Sequence, residues 1–513
     1  MQLHTLLDAL QEYSWREQQQ QYTFDPTSEI TSIAYDSRKV TQQGLFVAVP
    51  GTHTDGQFYL PDAAARGARL AIGEKLQSDD QAPPLPYIEV PNVRVALADL
   101  ARAFYGYPAD QLCTIGITGT DGKTTTSNLI STLFETAGRR NGLMTTANFK
   151  MDGKEWENTT RQSTLEALEI QEFLRRLVDA QVPYAIVEAT SHGLELGRVH
   201  GCNFDVGVVT NITHEHLDFH KTIEAYRRAK ARLFEMLDPE RDKGINSRPV
   251  AILNRDDVSY DVLKPYCKVP ILDYGIDTPA AVRAVDLHLG AQSTSFRVVL
   301  PDGEAHIETR LVGRFNVSNS LAAIATAYSQ GICVADIERG MATIWGITGR
   351  METIAEGQPF SVIVDYAHTP DSLQKVIATL RPLTTGKMIL VFGSAGERDL
   401  QKRPIMGRIA AEQSEFFVIT DEDPRDEDRE KILREIADGA IAAGKREGKD
   451  FLCIADRTQA IAAAFKHAEA GDTVLLAGKG HEQSIIMGRE KLPWDDRKVA
   501  REQLNKQGWH DAR

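Results

Sequence analysis

Residues 114–126, T-I-G-I-T-G-T-D-G-K-T-T-T, constrain this chain more than any other stretch. An apolar strand pattern runs into a glycine loop, then Lys123 and Thr124, then a helix expected to start near Thr125. Gly116, Gly119 and Gly122 read as positions where missing Cβ atoms let successive backbone N–H groups converge on a phosphate, backed by the positive end of the helix. Thr120 belongs to the same loop, Lys123 is a point charge for the outer phosphates, and Thr124 is a hydroxyl for Mg²⁺. The match to G-x-x-x-x-G-K-[ST] is one residue off, because Ile117 stands where the first glycine belongs. The loop is therefore one residue longer than the common form, or is built on Gly119. An ordinary strand–helix turn has no need of G-K-T-T directly after I-G-I-T-G. A nucleoside triphosphate, ATP, is the expected ligand.

The rest of the composition narrows the class. A chain of 513 residues suggests about three domains, each with its own core. Net charge is −14, so no nucleic acid is expected, and an anionic ligand must be held by local Arg, Lys and backbone N–H groups. The five cysteines are odd in number and never in C-x-x-C spacing, which fits a reducing cytoplasm better than a disulfide framework or a zinc site. No apolar run reaches the length of a membrane span and no signal peptide is read. A cytoplasmic monomer is the expectation.

Strand–helix alternation predicts an α/β chain in three parts. Residues 1–105 read as a small α/β unit, with Asp36, Ser37 and Arg38 between apolar runs as either ligand groups or a capped turn. Residues 106–347 read as a parallel, doubly wound sheet around the glycine loop. There Y-A-I-V-E (184–188) is a buried strand ending in Glu188, where a carboxylate that directs Mg²⁺ belongs. H-E-H-L-D-F-H (214–220) follows another buried strand; one of its histidines beside a magnesium site is the better reading than zinc. Residues 348–513 read as a second parallel α/β domain, entered through Gly349 as a hinge. Four of its strands end in polar segments: Asp365 to His368, G-S-A-G-E-R (393–398), D-E-D-P-R-D (421–426) and G-K-G-H-E (478–482). Ligands of an open parallel sheet bind at those ends.

With these motifs placed, the chain resembles the Mur ligases of peptidoglycan synthesis over nearly its full length. The matching stretches include D-S-R-x-V (36–40), T-G-T-D-G-K-T-T (118–125), E-A-T-S-H-G-L (188–194) and T-N-I-T-x-x-H-L-D-F-H (210–220). They continue through A-K-x-x-L-F (229–234), G-R-F-N-V-x-N (313–319), G-R-M-E (349–352), D-Y-A-H-T-P-D-S-L (365–373) and G-K-G-H-E. The last two point to the branch that adds the third residue of the peptide. The resemblance implies an N-terminal UDP-binding domain with a small α/β fold, a central ATPase domain of P-loop type and a Rossmann-like C-terminal domain that brings an amino acid. It implies that ATP phosphorylates the D-Glu γ-carboxylate of UDP-N-acetylmuramoyl-L-alanyl-D-glutamate, and that a diamino acid's amine attacks the acyl phosphate.

The resemblance also assigns residues. Lys123, Glu188, His216 and Lys230 are implied as catalytic, and Thr124, Glu188, His216 and Lys230 as magnesium ligands. Lys230 resembles a lysine that is carbamylated (N6-carboxylysine); a plain ammonium on phosphate is the alternative. Gly119, Thr120, Gly122, Lys123, Thr124 and Thr125 would bind ATP with Asn316 near the base, Arg350 near the phosphates, and Asp365 and His368. His368 reads equally as a satisfied histidine at a strand end. Ser37, Thr159, Thr160, Ser191 and Arg198 would hold the UDP substrate. Arg398, Asp423, Arg425, Gly478 and Glu482 fall on amino-acid positions.

Asp423 stands where diaminopimelate-adding relatives carry Asn. A bare carboxylate there would repel a distal carboxylate or attract an ammonium by roughly 4 kcal/mol at 4 Å and an effective dielectric near 20. This favours L-lysine, or L-ornithine, with Arg425 neutralised by Glu422 or Asp426. Diaminopimelate stays open if Asp423 turns to its distal ammonium.

Overall fold

The structure is a computed structural model. It describes every residue except 16–24, 52–53, 77–82, 159, 161, 214, 216, 246, 291–292, 345, 347–348 and 511–513, and the side chains of 217 and 218. The chain divides into two compact units, Met1–Arg283 with Val299–Gly303 and Asn319–Ile337, and Ala284–Val298 with Glu304–Ser318 and Glu338–Arg513.

The first unit holds two sheets. Strands β1 (Ser14–Trp15), β2 (Ile33–Ala34), β3 (Gly44–Val47), β4 (Ala68–Gly73) and β5 (Tyr87–Glu89) form one, in the order β1-β5-β4-β3-β2, with only β1 antiparallel to its neighbour. The glycine loop lies in the other. It follows β6 (Cys113–Thr118) and precedes helix α1 (Lys123–Thr136), which begins two residues before the expected start. Strands β7 (Asn141–Met144), β8 (Asn148–Met151), β9 (Lys154–Glu157), β10 (Tyr184–Glu188), β11 (Val206–Val209), β12 (Val250–Asn254) and β13 (Ile271–Gly275) complete the part of this sheet that lies within the unit. Six of these strands run parallel in the order β7-β10-β6-β11-β12-β13, and β8 and β9 add an antiparallel edge. Every residue of β6, β11 and β12 is buried, as a sheet covered on both faces demands.

Gly116 belongs to the body of this sheet and not to the phosphate turn. It lies in mid-β6, opposite Gly207 of β11. A Cβ on Gly116 would come within 2.6 Å of Leu233 Cδ1 and 3.0 Å of the Phe204 ring. Its role is to let helix α2 (Ile223–Glu235) lie close on the sheet. Gly119 and Gly122 do shape the turn, with φ of +149° and +82°. A Cβ on the first would meet Thr210 Oγ1 at 1.8 Å, and on the second Asn319 Oδ1 at 2.2 Å.

The second unit is built on one sheet. Its strands are β14 (Glu352–Ile354), β15 (Ser361–Asp365), β16 (Met388–Phe392), β17 (Phe416–Ile419), β18 (Phe451–Cys453) and β19 (Thr473–Ala477), in the order β14-β15-β19-β16-β17-β18. All neighbours are parallel except β14, the antiparallel edge. Apolar clusters cover both faces, one containing Leu390, Phe417 and Ile436, the other Val391, Val418 and Phe465. The adjacent parallel strands β15, β19, β16 and β17 end at the same edge of the sheet, which gathers the four polar segments predicted from sequence. Gly349 has φ +64°, and a Cβ on it would fall 2.0 Å from His481 N. Read as a hinge from sequence, it is a point of close packing between the G-R-M-E and G-K-G-H-E segments.

Candidate active site

The loop after β6 is held from one side by the strand-end segment T-N-I-T. Thr210 Oγ1 donates to Asp121 O at 2.6 Å, Asp121 N to Asn211 Oδ1 at 3.0 Å, and Thr213 N to Thr120 Oγ1 at 3.0 Å. Thr120 Oγ1 also lies 3.0 Å from the buried Tyr226 hydroxyl. Thr125 is buried in the first turn of α1. Two lysines turn toward this loop. Lys123 Nζ donates to Gly119 O at 3.1 Å and Thr120 O at 2.7 Å, and Lys230 Nζ donates to Gly119 O at 2.6 Å. Lys230 sits on the buried face of α2, 4.4 Å from the Tyr226 ring centroid. Burial, and then the charge of Lys123, push its ammonium well below the ordinary lysine range. Burial at this position thus disfavours the charged form of Lys230.

Glu188 ends β10 beside the loop. Its Oε2 accepts from Thr124 Oγ1 at 2.9 Å and from Thr146 N at 3.0 Å, and its Oε1 from Thr146 Oγ1 at 2.9 Å. A buried hydroxyl and a buried carboxylate at this spacing are the hard oxygen donors that Mg²⁺ takes. Thr146 was not singled out from sequence; its signal is a second pair of threonines, M-T-T-A, just past the end of β7. His214 and His216 lie outside the described residues. His220 is buried and packs on Tyr226 and His192. Among the described residues no group of three or more His, Cys, Asp and Glu side chains could hold a metal.

A cavity of about 750 Å³ lies in the same unit, with Ser37, Arg94, Glu166 and Arg198 on its walls. Asp36 caps the turn at Ser37, accepting from Arg38 N at 3.0 Å, and Asp36, Ser37 and Arg38 all line the cavity, so the capped turn is itself part of its wall. Arg198 pairs with Glu166 at 2.8 Å and Arg94 with the same carboxylate at 3.8 Å. Burial raises the Glu166 carboxyl above its usual range, against the pull of both arginines. Ser191 is buried with its hydroxyl unpartnered among the described residues. Thr160 donates to Asn158 Oδ1 at 2.6 Å and Thr159 lies outside the described residues. Arg94 and Glu166 were missed in the sequence, where neither sits in a recognisable motif.

In the second unit Asn316 is buried and donates to Val312 O at 2.9 Å. Asp365 accepts from Met351 N and Ala367 N, both at 2.8 Å, and so ties the G-R-M-E segment to the end of β15. Arg350 lies over the Tyr366 ring, 4.9 Å from its centroid, with a buried Nε that has no partner among the described residues. His368 Nδ1 is 2.9 Å from Tyr366 O, and burial pulls the imidazole down to about 4; this supports its reading as a satisfied histidine at a strand end.

At the amino-acid positions the geometry departs from expectation. Asp423 is not a bare charge: its Oδ1 accepts from Lys479 Nζ and from Ile486 N, both at 2.9 Å, and the lysine is wholly buried. Lys479 also donates to Glu482 at 2.5 Å. Nor is Arg425 neutralised as expected. Asp426 pairs with Arg489 at 3.8 Å, and among the described residues the buried Glu422 Oε2 and Arg425 Nε have no hydrogen-bond partner. Gly478 turns the chain at φ +107°, and Arg398 is exposed.

Comparison with known proteins bears on the whole chain. Residues 29–105 match the Mur ligase family catalytic domain, 117–327 the Mur ligase middle domain, and 349–480 the Mur ligase glutamate ligase domain. A UDP-N-acetylmuramyl-tripeptide synthetase of Roseiflexus sp. is 48% identical over 94% of this chain and 96% of its own length. The chain belongs to the Mur ligase family. It is accordingly an ATP-dependent ligase joining a carboxylate to an amine. Another relative of this Mur ligase, a UDP-N-acetylmuramoyl-L-alanyl-D-glutamate--2,6-diaminopimelate ligase of Bacillus velezensis, is 41% identical over 96% of the chain and 98% of its own length. A solved structure of an enzyme with that name aligns with a TM-score of 0.65 at 30% identity, covering 97% of this chain and all of its own. Among the described residues no helix is long and apolar enough to cross a membrane.

Proposed function

We propose that this Mur ligase joins a diamino acid to the D-Glu γ-carboxylate of UDP-N-acetylmuramoyl-L-alanyl-D-glutamate, using ATP and Mg²⁺, to supply peptidoglycan precursors in the cytoplasm. The carrying observation is the convergence of Lys123, the Thr124–Glu188 pair and Lys230 on one glycine loop. The names of the relatives support the substrate class.

A γ-carboxylate oxygen bonds to the γ-phosphorus of ATP, and the bond from that phosphorus to ADP breaks. The amine nitrogen then bonds to the acyl carbon, the adduct expels phosphate, and the amine loses its proton. Lys123 bears on the charge developing at the outer phosphates. Mg²⁺, held by Thr124 and Glu188 with His216 near a second ion, would supply Lewis-acid neutralisation. The Lys230 amine nitrogen bonds to the carbon of CO₂ and loses a proton, so that a basic side chain becomes a carbamate that would offer anionic oxygens to Mg²⁺. In this reading residues 1–105 bind the UDP end, 106–347 bind ATP and 348–513 bring the amino acid. The cavity at Ser37 and Arg198 receives the UDP substrate, with Thr159, Thr160 and Ser191. Asn316, Arg350, Asp365 and His368 serve ATP.

Two amino acids suit the second unit for different reasons. Asp423 and Glu482 share one ammonium, a setting that receives a distal amine and so accommodates L-lysine or L-ornithine. Arg425, without an ion partner among the described residues, favours a distal carboxylate and hence meso-diaminopimelate. Phosphate release from ATP with UDP-N-acetylmuramoyl-L-alanyl-D-glutamate and a panel of amino acids tests both. Release with no diamino acid would overturn the ligase reading, and competition between lysine and diaminopimelate ranks the two.

A further inference from the structure

G-K-G-H-E turns one lysine inward. Gly478 and Gly480 take φ of +107° and +50°, and a Cβ on Gly480 would meet Gly349 O and the Tyr366 side chain, both at 2.7 Å. Between them the Lys479 side chain is fully buried at the tip of β19, where it bridges two separate segments: the β17 tip through Asp423 and its own turn through Glu482. Asp423 is further fixed by Ile486 N, and its carbonyl accepts from Gly396 N at 2.8 Å, next to the segment that carries Arg398. One buried ammonium thus sets both the position and the effective charge of two carboxylates on the face where the amino acid is read.

We propose that Lys479 is the specificity-determining residue of the amino-acid site: its charge, cancelling that of Asp423, allows a carboxylate-bearing diamino acid to approach Arg425. This inference rests on the reading of the second unit as the amino-acid site. Lys479 is a positioning residue and touches the substrate only through Asp423 and Glu482. Selectivity is a difference between two affinities, so a charge that bears on the distal carboxylate of one substrate and has no counterpart in the other moves their ratio.

The test is a two-by-two set in the full chain: wild type, Lys479→Met, Asp423→Asn and the double variant. The readout is the ratio of kcat/KM for meso-diaminopimelate to that for L-lysine, with KM for ATP alongside. Lys479→Met strips the compensation from Asp423 and lowers the ratio by about tenfold or more, the scale of a misplaced like charge. Asp423→Asn raises the ratio, and the double variant returns it close to wild type, because the two effects cancel within one pair. KM for ATP stays unchanged throughout. If Lys479→Met does not fold, Asp423→Asn, which keeps the Lys479–Glu482 pair, and the double variant, which removes both members of the Lys479–Asp423 pair, still decide the matter. A ratio that is the same in every folded variant overturns the inference. Wild type that couples no diamino acid overturns the underlying function instead, so the two failures are distinct.

Discussion

Lys230 Nζ lies 2.6 Å from Gly119 O, on the same carbonyl that receives Lys123 Nζ at 3.1 Å. Two lysines on one carbonyl repel each other, and burial penalises the charge of Lys230 further. A neutral amine is the form that adds to CO₂. Ligation is therefore expected to fall in CO₂-depleted buffer and to recover on adding bicarbonate, with Lys230→Met inactive in both. A rate indifferent to bicarbonate, with Lys230→Met still inactive, would assign Lys230 to phosphate as a plain ammonium.

The Thr124–Glu188 contact makes a separate prediction. Glu188→Gln keeps the acceptor for Thr124 Oγ1 but removes the charge. Loss of about 10²-fold or more in kcat is expected, the scale seen when one preorganised electrostatic group is lost. The Mg²⁺ concentration for half-maximal activity should rise, and the thermal midpoint should change little. Wild-type metal dependence in the variant would remove Glu188 from the metal site.

Gly116 sets how deep α2 lies, and Leu233 is three residues from Lys230 on that helix. Gly116→Ala puts a methyl 2.6 Å from Leu233 Cδ1 and 3.0 Å from Phe204. Overpacking of this kind costs typically about 1–3 kcal/mol. Denaturant titration should show that loss, and kcat should fall because Lys230 is lifted from the loop. Wild-type stability would mean that the Leu233 end swings aside freely.

The sequence exposed the backbone of this architecture better than its charges. Buried strands ending in polar segments were legible in T-I-G-I-T-G, Y-A-I-V-E and T-V-L-L-A, because a parallel sheet covered on both faces leaves near-continuous apolar runs. Gly116 misled because a glycine that admits a helix and a glycine that admits a phosphate look alike in one dimension. Asp423 misled because its partner is 56 residues away, and pairing at that distance leaves no local pattern. Arg94 and Glu166 escaped for the same reason. Gly349 reads as a hinge in one dimension, but its tight neighbour is the His481 backbone, which no spacing rule reveals.

Arg403 is fully buried and binds two carboxylates, Glu427 through both oxygens at 2.8 Å and Glu435 at 2.6 Å. Those bonds draw the Glu427 carboxyl down to about 2. Glu427 also accepts from Glu397 N, which joins the segments carrying Arg398 and Arg425. Removing one member of a buried pair costs about 3–5 kcal/mol. Arg403→Met should therefore lower the unfolding free energy by about that amount in denaturant. A loss below about 1 kcal/mol, the worth of a surface pair, would show that water reaches the cluster.

His481 gives the second unit a pH dependence of known sign. Burial first, then the charges of Arg350, Arg497, Lys479 and His368, pull its imidazole down to about 3, and His368 is itself held at about 4. In the unfolded chain both return to about 6.5. Below that pH the unfolded state binds protons that the folded state refuses, so stability falls as pH drops from about 6.5 toward 4, and neither group contributes above it. Each histidine adds at most about 1.4 kcal/mol per pH unit to the slope. Denaturant midpoints between pH 7 and pH 5 should shift less in His481→Gln than in wild type. Parallel curves would mean that the imidazole takes up its proton in the folded protein without cost.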